Sequence, residues 1–417
     1  MRLYIDPGTG SMLFTILVGL IGAAVFSIRM FWVKVRFFFS GGKKVKMDGA
    51  RIPLVIFSDD KRYWSIFEPI CRELNHRGQE VVYMTASADD PALNTEYEYV
   101  KAEFIGEGNR AFAKLNFLQA DIVLSTTPGL DVYQWRRSPE VHYYVHILHM
   151  PNDATLYRMF GLDYYDAVLL AGDFQVQQIR ELEKLRELPP KELVKVGIPY
   201  MDEMKKRLIS APILAEHERT VLLAPSWGPE AIFSKIGDEI LKILLSTGWH
   251  IIVRPHPQSF TSEKELMDNL MEEYPPSEQL EWNRDNDNFE VLRRSDILIS
   301  DFSGVIFDFT MIYNKPVIYT AGELDTSVYD AWWLDTPVWT TTVLPKLGRE
   351  LSKENLSNLK EIIESCLTDD LYSKGRDEVR KEAWAYPDEG AVRVVDYLTE
   401  LQKRLLESGN DNVLQRP

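Results

Sequence analysis

The chain has 417 residues, 45% of them hydrophobic, and its 47 lysines and arginines against 63 aspartates and glutamates give a formal net charge of −16. Such a length can bury more than one core and favours two globular domains with additional segments. The acidic balance argues against a surface that wraps nucleic acid, so an anionic ligand has to be held by local groups. The two cysteines, Cys71 and Cys366, lie far apart in no metal-like spacing. They fit a reducing compartment and read as core residues, not as a disulfide.

Residues 12–28 carry no charge, and with Met30 to Val33 beyond Arg29 the run approaches the ~20 residues that a bilayer requires. One transmembrane helix is expected over 12–33. A cleavable signal would place its basic residues first, whereas Arg29, Lys34, Arg36, Lys43, Lys44 and Lys46 all follow the apolar run. The positive-inside rule then leaves residues 1–11 outside a bacterial cell membrane and places everything after residue 34 in the cytoplasm. The basic linker, 34–50, would lie against anionic headgroups, each charge contributing about 1 kcal/mol. Gly19 and Ala23 offer a small-residue contact through which two copies could pair as a homodimer.

Ile52 to Phe57 reads as a buried strand, and Ser58-Asp59-Asp60 as the cap of a helix near Trp64 to Arg77 that Gly78 ends. Further short apolar strands at 80–84, 122–124, 142–146 and 167–170, separated by helix-length segments, predict a doubly wound parallel sheet in a first domain, 51–205. Gly197-Ile198-Pro199 closes its last strand, and the charged stretch to Thr220 is the crossing. A second series begins at 221–224 and continues with a helix near 236–246 and strands at 249–253, 297–300 and 317–319, giving a second domain, 206–385. The remaining 386–417 holds a helix whose Val392, Val395, Tyr397, Leu398 and Leu401 share a face, followed by a tail. Two similar α/β halves facing a cleft describe a GT-B-like architecture of two Rossmann-like domains. That architecture names no reaction by itself.

The run from Ile297 to Phe309 stops at a polar turn, Ser300-Asp301-Phe302-Ser303-Gly304, and resumes with helical spacing. A strand, a tight loop and a helix start make a seat for phosphate, with ordinary capping by Asp301 or Ser303 as the plainer alternative. A second polar turn, Arg254-Pro255-His256-Pro257, follows the strand at 249–253. Two such turns at one end of a parallel sheet point into one crevice. Held between two prolines, His256 could hydrogen-bond a diphosphate or stabilise charge on a leaving phosphate. Arg254 either adds a fixed cation or pairs with a nearby acid, while Ser300, Ser303 and the amides around Gly304 would grip other phosphate oxygens. Asp301 either caps the turn or positions His256.

Among His142, His146 and His149, the first two fall on one strand face and read as packing. His149 lies past the strand end, before Pro151-Asn152-Asp153, where an imidazole could take a proton from an attacking hydroxyl. Three imidazoles along an extended strand are poorly spaced for a tetrahedral ion, so no metal is expected. Trp227 could stack on a base or belong to the core, and Asp308 could reach the cleft or cap a neighbouring loop. Gly106, Gly108 and Gly129 form no Gly-x-Gly-x-x-Gly pattern, and no P-loop appears.

Ala224-Pro-Ser-Trp227, Arg254-Pro-His-Pro257, the Ser300 to Phe309 segment and Lys315-Pro316-Val317-Ile318 resemble, in order and spacing, the bacterial CDP-glycerol glycerophosphotransferases of teichoic-acid and related polyol-phosphate polymer synthesis. The resemblance covers roughly residues 190–320. It implies a GT-B fold, a donor diphosphate bound by the second domain, and attack of an acceptor hydroxyl on the donor's β-phosphorus with CMP leaving, without a cofactor. Family members also carry a proposed base in a first-domain His-Gly-Thr-Pro-Leu-Lys motif. The matching region, His149 to Asp153, keeps the histidine and a proline but not the glycine, threonine or lysine, and His146 is an alternative register. The arginine that often follows the tryptophan is Gly228. The expectation is a membrane-anchored transferase moving glycerol phosphate, or a similar polyol phosphate, to a hydroxyl of a lipid-linked or cell-surface glycan or polymer. A nucleotide-sugar glycosyltransferase and a non-catalytic nucleotide-binding protein of a polysaccharide assembly complex are the alternatives.

Overall fold

Seven strands assemble into one parallel sheet and six into another in the computed structural model, which describes residues 51–408 except 286, 321 and 323. The expected span over 12–33, its flanking 1–11 and 34–50, and the 409–417 tail lie outside the described residues. Among the described residues no helix is long and apolar enough to cross a membrane.

The first sheet contains β1 (Ile52–Ser58), β2 (Val81–Thr85), β3 (Val100–Phe104), β4 (Ala120–Ser125), β5 (Val141–Ile147), β6 (Ala167–Leu170) and β7 (Glu192–Lys195), in the order 3-2-1-4-5-6-7. The second contains β8 (Thr220–Ala224), β9 (His250–Val253), β10 (Leu280–Trp282), β11 (Ile297–Ser300), β12 (Val317–Thr320) and β13 (Gly348–Leu351), in the order 10-9-8-11-12-13. Helices cover both faces, so the central strands are buried throughout. Leu54 to Phe57 and Ile297 to Ser300 show this, with at most 1% exposure.

Each sheet reverses its winding once, between β1 and β4 and between β8 and β11. At such a point neighbouring chains leave the sheet in opposite directions, which opens a crevice beyond the carboxyl ends of the strands. Near the end of the first strand of each pair, a main-chain carbonyl accepts from a serine hydroxyl on the second. Ser125 Oγ donates to Phe57 O at 2.8 Å, and Ser300 Oγ donates to Ala224 O at 2.6 Å. Both pairs face each other in register.

The helix Pro199–Ser210 carries the chain from one sheet to the other, and the helix Gly390–Ser408 returns to the first. Its Val394, Val395, Tyr397, Leu398 and Leu401 join the core around Leu54, Ile56, Phe67 and Ile70. Val392, expected on that face, is instead 41% exposed. At 3.6 residues per turn it points away from Leu398, and Val394 takes the inward position. Asp202 holds the return by accepting from Trp384 Nε1 at 3.0 Å and from the amides of Asp388 and Gly390, both at 2.8 Å. Gly197 makes the close crossing possible. Its φ is +84°, and a Cβ there would sit 2.2 Å from Ala385 O.

A second tie joins the two lobes. Asp153 accepts from the amides of Trp339 and Thr340, at 2.7 and 2.8 Å, and so caps a second-lobe helix from the first lobe. Asp330 reaches the other way, to the amides of Phe160 and Gly161 and to the Arg186 guanidinium at 2.5 Å.

Candidate active site

The loops that follow β1, β4 and β5 on one lobe and β8, β9 and β11 on the other meet at the two reversal points. Met150 of the first lobe packs against Gly304 of the second, where a Cβ on the glycine would lie 2.8 Å from Met150 Cε. Gly304 has an ordinary φ of −58°, so the requirement for glycine there is space and not backbone freedom. His149 is the residue before Met150, which brings the histidine of the first lobe to the Ser303-Gly304 corner of the second.

Asp301 is the organiser of the second-lobe half. Buried to 1%, it accepts from the amides of Ser226 at 2.9 Å, Ile232 at 3.3 Å and Phe302 at 2.8 Å. Burial pushes its pKa up, and the Ser226 hydrogen bonds oppose that shift. Asp301→Ala would strand three donors in the interior. A loss of about 3 kcal/mol of stability is expected in chemical denaturation, since each unsatisfied buried group costs about 1–3 kcal/mol. The Ser300 hydroxyl, expected on phosphate, is fully buried and bonded to Ala224 O, so its side chain belongs to the strand end. Beyond it the first amides to bond back are those of Ile306 and Phe307, to Ser303 O and Gly304 O at 3.1 and 3.0 Å. The amides of Ser303, Gly304 and Val305 therefore have no intrahelical acceptor.

His256 is tied to the same corner by its own amide, which donates to Pro225 O at 3.1 Å. Its Nδ1 accepts from the Gln258 amide at 3.1 Å, which puts the ring proton on Nε2 in the neutral form. Burial and then the Arg62 charge lower its pKa, so at pH 7 it is a neutral Nε2–H donor. His149 Nδ1 lies 2.8 Å from Thr126 Oγ1, and its ring sits 5.1 Å from that of Tyr63. Burial first and Arg62 second lower the His149 pKa to about 4. One guanidinium thus acts on both histidines across the cleft.

Arg62 was not anticipated from the sequence, nor was Thr126. Arg62 and Thr126 follow β1 and β4, the pair flanking the first reversal point, and the strand order would have singled them out.

Arg254 and Asp308 belong to a neighbouring cluster. The Arg254 guanidinium bonds Asn283 Oδ1 and, at 2.7 Å, Asp285 O, which holds the loop after β10. Asp308 accepts from Asn288 Nδ2 at 3.1 Å and Tyr200 Oη at 3.4 Å. Burial raises its pKa to about 7, so it is half protonated near neutrality. It opens a π-helical turn, Asp308–Ile312. Trp227 is 46% exposed, which removes it from the core and leaves its indole free to stack. The neighbouring Gly228 has φ +97°, a conformation that glycine adopts without a side-chain clash.

His146 is fully buried, with its ring edge-on to Tyr157 and Tyr165 at 5.3 and 4.9 Å, while His142 pairs with Asp121 at 3.1 Å on the surface. Lys315 donates to Leu292 O, Arg293 O and Ser295 O, at 2.5 Å to Arg293, closing the end of the Phe289–Arg294 helix. Cys71 and Cys366 are both buried and free.

Solved structures with this fold include the wall teichoic acid polymerase TagF, at 15% identity and a TM-score of 0.54, covering 92% of this chain and 99% of that one. A putative UDP-N-acetylglucosamine 2-epimerase from Listeria monocytogenes matches at 14% and 0.53, covering 88% and 99%. The UDP-GlcNAc 2-epimerase of Methanocaldococcus jannaschii matches at 15% and 0.53, covering 84% and 100%. These likenesses establish the two-lobed GT-B-like fold, which polymerase and epimerases share. No curated protein sequence matches the chain. Residues 165–399 match the family described as CDP-glycerol:poly(glycerophosphate) glycerophosphotransferase, a stretch that contains the second-lobe corner but not the loop of His146 and His149. With more than half of its length matched, the chain belongs to the CDP-glycerol glycerophosphotransferase family of transferases.

Proposed function

We propose that the protein moves glycerol phosphate, or a similar polyol phosphate, from a CDP-activated donor to a hydroxyl of a lipid-linked or cell-surface glycan or polymer. The second lobe holds the donor, with the diphosphate between His256 Nε2–H and the amides of Ser303, Gly304 and Val305, and with the Trp227 indole available to the base. The first lobe presents the acceptor. His149 takes the proton as the acceptor oxygen forms its bond to the β-phosphorus, and the bond from that phosphorus to the CMP oxygen breaks with its electrons leaving on CMP. Arg62 and His256 offset the charge that grows on the phosphoryl and leaving oxygens. Phosphoryl transfer of this kind depends on placement and charge more than on covalent help.

The observation that carries the reading is the meeting of the two histidine loops. Met150 touches Gly304, and Arg62 acts on both His149 and His256. Anchoring through residues 12–33 would keep the cytoplasmic cleft beside an acceptor that cannot leave the bilayer. The deciding experiment incubates the full chain with CDP-glycerol, CDP-ribitol and UDP-sugars and follows the released nucleotide and the transferred label. CMP release from a CDP-polyol, with label on a membrane-extracted acceptor, is expected. UDP release with sugar transfer would replace the reading with a glycosyltransferase.

A further inference from the structure

Phe160 is held in a left-handed backbone conformation, φ +67°, that is costly for a bulky side chain, and its ring is exposed all the same. The turn that carries it is built from both lobes. Asp330 accepts from the Phe160 and Gly161 amides at 2.7 and 3.2 Å, Met159 N donates to Val328 O at 3.2 Å, and Asp330 N donates to Tyr157 O at 2.9 Å. Arg186, buried and paired with Asp163 at 2.7 Å and Asp330 at 2.5 Å, lies 4.8 Å from the centre of the Phe160 ring and 5.2 Å from that of Trp333. Its Nε is buried with no partner. Buried charge and an unfavourable turn are thus committed to holding two rings at the surface, the reverse of what a core requires.

The two rings belong to a wider apolar face. Trp333 Nε1 meets Met159 Sδ at 3.0 Å, the Tyr133 hydroxyl lies 3.5 Å from Met159 O, and Val328, Trp332 and Tyr164 stand on the same two turns. All six large side chains, Tyr133, Phe160, Tyr164, Val328, Trp332 and Trp333, are 39–63% exposed, and a face of this kind marks an interaction site. Its charges select the partner. Over 157–164 and 326–334 both carboxylates, Asp163 and Asp330, turn inward onto Arg186, and the charged side chain left exposed is Arg158, in a chain whose net charge is −16. Exposed acids, Asp325 and Asp335, appear only at the margins of these turns. Tryptophan, tyrosine and phenylalanine beside an arginine suit the headgroup level of a bilayer, where one end of each ring is apolar and the other wet.

We infer that this face docks on a lipid surface, with its rings at headgroup level and the cleft beside it. The two turns follow β5 and β12 and so leave the carboxyl ends of the sheets, the side on which the cleft lies. The sequence ahead of β1 fits the same partner, with the uncharged run 12–28 followed by the basic linker 34–50. A single span on such a linker would leave the lobes free to turn, and a second contact with lipid fixes their orientation. Tethering raises the effective concentration of the face at the surface, so a weak contact is enough. The docking does not depend on which group the cleft transfers, and its test is independent of turnover.

The test uses the full chain reconstituted in vesicles of phosphatidylglycerol and phosphatidylethanolamine, with a fluorophore attached at Val328→Cys or, as a control, at Phe117→Cys. Both native cysteines are buried, and Phe117, 79% exposed, precedes β4 and so stands at the opposite, amino end of the first sheet. Nitroxides carried on the lipids should remove about half or more of the emission at position 328 and little at 117, because a docked face sits about 5–10 Å into the headgroup and acyl boundary. Trp332→Ser with Tyr164→Ser, two exposed positions, should restore most of the emission at 328, with thermal melts as the folding control. Equal quenching at 328 and 117, no quenching at 328, or quenching at 328 that survives the two serine substitutions would each overturn the inference. So would a label at 328 that is insensitive to the nitroxides and becomes shielded as the protein-to-lipid ratio rises, which would give the face to a second copy of the chain.

Discussion

His149→Ala is expected to lower turnover by about 10²-fold or more, the range lost with a general base, while donor binding changes by less than about twofold. The side chain follows the end of β5 and stands beside the Ser303-Gly304 corner of the second lobe. Its pKa of about 4 has a further consequence. As a base it must be unprotonated, so kcat/KM should hold down to about pH 4 and fall below it. Binding of a diphosphate brings negative charge against Arg62, which relieves one of the two causes of the shift and raises the pKa in the complex. The acid limb of kcat should therefore lie at higher pH than that of kcat/KM, and coincident limbs would count against the arrangement. Stability follows the same sign. The neutral form is favoured in the folded state, so the unfolded chain binds more protons between about pH 6.5 and 4, and stability declines as pH falls through that window. His146, depressed by burial, adds to the decline.

His256→Ala is expected to cost about 10²–10³-fold in kcat, as loss of an oxyanion-type donor does. The backbone amide of Gln258 occupies Nδ1, so the ring offers Nε2–H and no base at neutral pH. On the proposed reading it meets charge that grows as CMP departs, so turnover should suffer more than donor affinity. CMP release measured at saturating donor checks this. A variant that keeps wild-type kcat and loses only affinity would make His256 a binding group instead. The two histidines differ in their Nδ1 partners: a main-chain donor fixes the tautomer of His256, while His149 faces the Thr126 hydroxyl, which can either give or take a proton.

The central strands were legible in the sequence because a strand covered on both faces must be apolar along its length. The strands to which the sequence reading gave no range, β3, β7, β10 and β13, are the edges of the two sheets. Edge strands are only half covered and carry polar residues, as Glu192 to Lys195 and Gly348 to Leu351 do, so no apolar run marks them. The turn at Ser300 to Gly304 and the His256 turn were legible as polar interruptions at strand ends. The duty of each residue inside them was not. Whether Ser300 faces a ligand or closes a splayed ladder depends on which strand lies beside it, and that is a property of sheet order. Arg254 is similar, since its partners Asn283 and Asp285 lie some thirty residues away on β10's outgoing loop. Arg62 escaped because its charge matters across the cleft and not along the chain.

The most direct measurement is a structure of the protein with CDP-glycerol bound to a His149→Ala variant slowed enough to retain it. The diphosphate is expected within hydrogen-bonding distance of His256 Nε2 and of the amides of Ser303, Gly304 and Val305, with its β-phosphorus turned toward the vacated imidazole position. A diphosphate bound on another surface, or one seated in the cleft with its β-phosphorus turned away from residue 149, would contradict it.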